Sequence, residues 1–305
     1  MALVVKKQYS GTIRVSPESV SDLQTALRMA AGSTEIVLAD GVYAPEDAFV
    51  VPARDAEDPE RNSISGEMIW IRAEHPGRAV LDGSRMKKRM PVMIVNGDCW
   101  HLQGLVFRGS PSAGLLVAGN GNRIERCEAY ENRDTGILIC RLPGAPEERR
   151  PSGNTVLRCD SCGNRDDAGV NADGFGAKLS VGEGNRFIEC IARENADDGF
   201  DLYSKSILGP IGAVMIDRCV ACGNGGMGFK LGGEDQQAAH EVRDCLAYAN
   251  AGGGFSANSN QALRLSGLIS WKNGPGPARD NYRLGKPGGG NEQKPERTGL
   301  LPEGS

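Results

Sequence analysis

The chain has 305 residues, 39% hydrophobic and 5% aromatic content, 42 glycines and a formal net charge of −4. That composition suits a soluble globular chain rich in tight turns and disfavours a helical bundle. No apolar stretch approaches the roughly 20 residues of a membrane span, and no basic surplus marks a nucleic-acid partner, so neither a membrane nor a nucleic acid is expected as a partner.

The opening "MALVVKKQYSGTIRV" has an apolar run too short for a signal-peptide core before Lys6 and Lys7. The next segment, "SPESVSDLQTALRMAAGSTEIVLADGVYA", predicts a helix over about 18–31 followed by a strand. Ser16 is the expected N-cap, Pro17 the first helical position, and Leu23, Leu27 and Ala30 the apolar face.

Further along, one pattern recurs: "RCEAYENRDTGILI" (126–139), "RCDSCGN" (158–164), "ECIARENADDGFDL" (189–202), "RCVACGNGGMGFKL" (218–231) and "DCLAYANAGGGFSA" (244–257). Each carries a cysteine followed five residues later by asparagine, and these cysteines lie 32, 31, 29 and 26 residues apart. A sixth copy keeps Asn273 and puts Leu268 at the cysteine position, and "GLVFRGS" (104–110) is a degenerate earlier one. Short alternating strands, turns rich in Gly and Asn, and a variable period indicate an all-β, right-handed parallel β-helix. The helix at 18–31 would then cover the open end of the solenoid. A single domain spans 1–285, and 286–305 is a polar tail.

In such a stack the recurring cysteines and asparagines are structural by default, the first as small buried side chains and the second as turn formers. The pairs Cys159/Cys162 and Cys219/Cys222 resemble a zinc site, but their coils are separated by the coil of Cys190, so the thiolates cannot share one metal. His75, His101 and His240 fall outside the strand that carries the chemistry below.

Aligning the Gly-Phe strands makes Ile137, Phe175, Phe200, Phe229, Phe255 and Tyr282 one inward stack. Alternation then sends Leu138, Gly176, Asp201, Lys230, Ser256 and Arg283 outward to solvent, with Asp173 and Asp198 two positions before the aromatic. Asp173, Asp197, Asp198 and Asp201 should converge over two coils with Lys230 one coil above, and Arg283 is a candidate substrate-binding cation. An oxygen-only cluster suits Ca²⁺ better than Zn²⁺ or Mg²⁺. The alternative is a hydrated acidic face partly neutralised by Lys230, Lys178 and Lys205.

The segments "NADGFGAKL" (171–179), "ENADDGFDLYSK" (194–205) and "GNGGMGFKLGG" (223–233) resemble the three active-site motifs of family nine polysaccharide lyases, calcium-dependent pectate lyases with a parallel β-helix fold. The resemblance implies that Asp173, Asp197, Asp198 and Asp201 bind one Ca²⁺ and that Lys230 is the Brønsted base of a β-elimination on a 4-linked polyuronate, pectate first. It also implies an acidic polysaccharide partner and a secreted or periplasmic location; a monomer is expected. Other uronic-acid polymers such as rhamnogalacturonan, a C5-epimerase and a noncatalytic carbohydrate-binding or adhesion solenoid are the rival readings.

Overall fold

A computed structural model describes residues 11–53, 68–275 and 282–284. Among them the chain winds as a parallel β-helix, every coil contributing one short strand to each of three sheets. The first sheet has 10 strands and the second and third have 9 each, all paired in parallel.

The corners follow from the repeat. Between first and second sheets the chain turns on one residue in left-handed conformation just before the cysteine position, at Arg126, Arg158, Glu189, Arg218 and Asp244, each with φ of 51 to 53°. A non-glycine residue resists that conformation, so something must hold each corner closed. The buried cysteine does part of this, its Sγ facing a carbonyl of the preceding coil, as Cys190 does Val156 O at 3.4 Å. All nine cysteines are free thiols.

At the next corner the asparagines form a continuous ladder. Asn132, Asn164, Asn195, Asn224 and Asn250 each give their Nδ2 to the Oδ1 of the next, ending on Asn273, at 2.8 to 2.9 Å. Each Oδ1 also accepts the backbone N–H of the preceding asparagine. Replacing Asn164 with Ala would orphan the backbone N–H of Asn132 and remove one of the two acceptors of its Nδ2, leaving only Phe107 O at 3.2 Å. The expected cost is about 3 kcal/mol, read as a lower urea midpoint with an unchanged slope.

A second ladder runs through Asn122, Asn154 and Asn185. These lie five residues before the cysteines, so the full repeat is Asn-x4-Cys-x4-Asn. In the coil of Cys245 that position is His240, whose Nδ1 accepts from Val214 N at 3.0 Å. Burial lowers the His240 pKa to about 4, which keeps the ring neutral and its role structural.

Inside the helix, Phe175, Phe200, Phe229, Phe255 and Tyr282 stack with ring centroids 4.7 to 5.7 Å apart. The glycine before Phe175, Phe200 and Phe229 is a steric requirement. A Cβ on Gly199 would lie 2.6 Å from Gly228 O.

The helix is shorter than the sequence predicts, Val20–Met29, and its N-cap is Ser19 rather than Ser16. Ser16 and Pro17 form a turn ahead of it, closed by Ser19 N to Ser16 O at 3.1 Å. Leu23, Ala26 and Leu27 are buried on the end of the solenoid, and Ala30 is the C-cap. The Gln24 amide donates to and accepts from the backbone of Val50, both at 2.8 Å. It thereby satisfies the edge of the third sheet, which would otherwise offer bare backbone groups.

Candidate active site

The third sheet positions the chemistry. Its register pairs Ile137, Phe175, Phe200, Phe229 and Phe255 inward, and Leu138, Gly176, Asp201, Lys230, Ser256 and Arg283 in the neighbouring column. The expectation that this column faces solvent needs correction. Gly176 and Asp201 are buried, and Asp173 and Asp198 are 0% and 3% exposed. The cause is local: these carboxylates accept hydrogen bonds from the adjoining backbone, and a lysine lies over them.

Asp173 accepts from the N–H of Asp198 at 3.1 Å and from the Thr135 hydroxyl at 3.1 Å. Asp198 Oδ1 accepts from Met227 N at 2.6 Å in the next coil. Asp201 Oδ1 accepts from Tyr203 N at 2.9 Å. Lys178 pairs with Asp173 Oδ2 and, at 3.1 Å, with Asp201 Oδ2. Lys230 Nζ faces Asp198 Oδ2 at 3.2 Å and Asp201 Oδ1 at 3.8 Å.

Burial dominates the electrostatics. It pushes Asp173 and Asp198 up to about 7 and Asp197 up to about 6, with neighbouring aspartates adding to the effect and the lysines opposing it. For Lys230, burial pulls the pKa down, but Asp201 and Asp198 win and hold it above the ordinary lysine value.

Asp173, Asp197 and Asp198 each offer an oxygen within 4.8 Å of the others. Oxygens bound to one Ca²⁺ at about 2.4 Å can stand up to about 4.8 Å apart, so the three can share an ion of that size. Asp198 Oδ2 is buried and accepts no well-aligned hydrogen bond, Lys230 Nζ facing it at 3.2 Å, so this oxygen could serve as a metal ligand. Asp201 stands beside this trio, held by Lys178 and by the Tyr203 N–H.

Of the other candidates, Arg283 has its backbone placed beside Ser256, while its side chain lies outside the described residues. Two further arginines lie apart from the cluster: Arg193 is paired with Asp160 at 3.1 Å on the second sheet, and Arg165 lines a shallow depression with Arg133, Asp166 and Asp167. Lys178 is the residue whose place in the cluster the sequence reading undervalued. A signal was present: it stands two residues after Gly176, on the same face of the strand.

A parallel β-helix with a buried carboxylate cluster and a lysine one coil above it defines the class of protein. The family described as "Pel9A-like, right handed beta helix region" matches residues 4–291, and the chain belongs to that family. It is 38% identical over 269 residues to pectate lyase L of Paenibacillus polymyxa (strain SC2), covering 83% of this chain and 59% of that protein. It is 35% identical over 290 residues to pectate lyase L of Thermoclostridium stercorarium, covering 87% of this chain and 23% of that one. The chain therefore spans from about a quarter to somewhat over half of these relatives. Among solved structures it is similar to pectate lyase Pel9A, with a TM-score of 0.69, 26% identity and coverage of 88% of this chain and 71% of the other. It is also similar to a rhamnogalacturonan lyase, with a TM-score of 0.62, 25% identity and coverage of 78% and 66%.

Proposed function

We propose that the protein is a calcium-dependent polysaccharide lyase that cleaves a 4-linked polyuronate, pectate first, by β-elimination. Supporting this, Lys230 Nζ lies 3.2 Å from Asp198 and 3.8 Å from Asp201 while its side chain remains 27% exposed. An amine is thus available to substrate at the edge of a carboxylate cluster. Asp173, Asp197 and Asp198, with Asp201 beside them, would hold Ca²⁺. Bound there, the ion supplies Lewis-acid polarisation of a substrate carboxylate, which acidifies the adjacent C5–H.

The chain's own part is to receive that proton. Lys230 can act only when unprotonated, and its pairing with Asp201 and Asp198 holds the proton on Nζ. The competent fraction therefore grows about tenfold per pH unit below its pKa, and activity should climb into the alkaline range. The acidic polymer is the expected partner, and the relatives named pectate lyase favour pectate. The similarity to a rhamnogalacturonan lyase keeps a second reading, rhamnogalacturonan or another uronic-acid polymer.

The test is ultraviolet absorbance of the unsaturated product on polygalacturonate and on rhamnogalacturonan. Product should appear with Ca²⁺, vanish with a chelator and return when Ca²⁺ is restored. No unsaturated product from either polymer would overturn the lyase reading.

A further inference from the structure

We infer that Lys178 is the resident counter-ion of the carboxylate cluster: it holds Asp173 and Asp201 together without metal, opposes calcium there, and so sets how tightly the site takes the ion. This rests on the calcium reading above and adds a residue which that reading does not use.

The route of the side chain is the first observation. Lys178 follows the strand Phe175–Ala177 and faces the same way as Gly176. The lysine stem lies back across Gly176, at ordinary contact distance from where a Cβ would stand. A Cβ there would be 3.5 Å from both Lys178 Cγ and Cε and 3.0 Å from Leu138 Cδ1. The ammonium thereby reaches one oxygen of Asp173 in its own coil and one of Asp201 in the next.

Accessibility separates the two lysines. The Lys178 side chain is 14% exposed against 27% for Lys230, and both its carboxylate partners are 5% exposed or less. Lys178 is turned into the cluster, while Lys230 stands at its open edge. Charge balance gives the arrangement its meaning: with all four aspartates ionised, as calcium binding requires, two lysines leave two negative charges, which one divalent cation neutralises. Without Lys178 the cluster would carry three, favouring tighter calcium and more strongly a trivalent ion.

The assignment separates from ordinary scaffolding by sign. A residue that merely oriented Asp173 and Asp201 would weaken metal binding when removed; a competing charge strengthens it. Calorimetry with Ca²⁺ and Tb³⁺ on the wild type, Lys178→Met and Lys178→Arg decides. Lys178→Met should bind Ca²⁺ about tenfold tighter, gain still more for Tb³⁺, and melt at lower temperature when metal-free. Lys178→Arg, which keeps the charge, should stay near the wild type. Equal or weaker calcium affinity in Lys178→Met overturns the proposal. Should that variant fail to fold even with calcium, Lys178→Gln decides instead, because it keeps a polar side chain of similar reach without the charge; tighter binding supports the proposal and equal or weaker binding overturns it. If the wild type itself takes up no calcium, the metal reading falls first, which distinguishes that failure from one confined to Lys178.

Discussion

Lys230→Ala should lower the rate of unsaturated product formation by about 10² to 10⁴, with circular dichroism unchanged and calcium still bound. The side chain is half-buried at the edge of the site and takes no part in either asparagine ladder, so its removal leaves the stack intact. Lys230→Arg sharpens the result. Guanidinium keeps the positive charge near Asp198 and Asp201 but does not give up its proton at any working pH. It should therefore be as inactive as the alanine variant. Activity retained in the arginine variant would show that Lys230 serves as a fixed cation, and the base would have to be sought elsewhere.

Asp198→Asn should abolish the stabilisation that calcium gives the wild type. At calcium concentrations about 100 times Kd a specific site contributes about 2.7 kcal/mol, roughly 5 °C in melting temperature for a chain of this size. The wild-type effect should depend on pH in a defined direction. Asp173 and Asp198 titrate at about 7 and Asp197 at about 6 in the folded protein, all above the unfolded value near 4. Raised carboxylate pKa values favour the protonated folded state, so their stabilisation is complete below pH about 4 and is lost as pH rises through 6 to 7. The metal-free protein should thus melt at lower temperature at pH 8 than at pH 5. Calcium, which needs the ionised carboxylates, should reverse that loss and stabilise more at pH 8. A calcium shift that is equal at both pH values, or one that survives in Asp198→Asn, would place the ion somewhere other than this cluster.

The sequence carried the register of the third sheet because alternation and repetition leave few choices. Phe175, Phe200 and Phe229 can stack only if Gly176, Asp201 and Lys230 share the next column, and the strand pairing has that form. Alternation says which way a Cα–Cβ bond points but not how far the side chain is covered, so Asp173 and Asp201 were expected in solvent and are buried. The position of Lys178 depends on how far its stem reaches to Asp173 and to Asp201 in the next coil, which periodicity does not encode. The N-cap was displaced for a different reason. Ser16 and Pro17 fit a capping pattern, but the turn that ends on Ser16 O delays the helix to Val20. The second asparagine ladder was legible in principle, since Asn122, Asn154 and Asn185 keep a fixed distance from the cysteines, but His240 and Val214 interrupt it.

The ladders that close the corners also order the chemistry in space. Asp173, the group Asp197–Asp201 and Lys230 sit on three successive coils, joined by the same Asn164, Asn195 and Asn224 contacts that repeat elsewhere. Duplicating one whole coil between Asp201 and Lys230 would satisfy every ladder, yet it would carry the amine one strand spacing farther from the carboxylates, about 4.8 Å. Coil gain or loss, ordinarily harmless in a solenoid, is therefore barred at this seam and equally at the one between Asp173 and Asp197: the fold tolerates it and the proposed reaction does not.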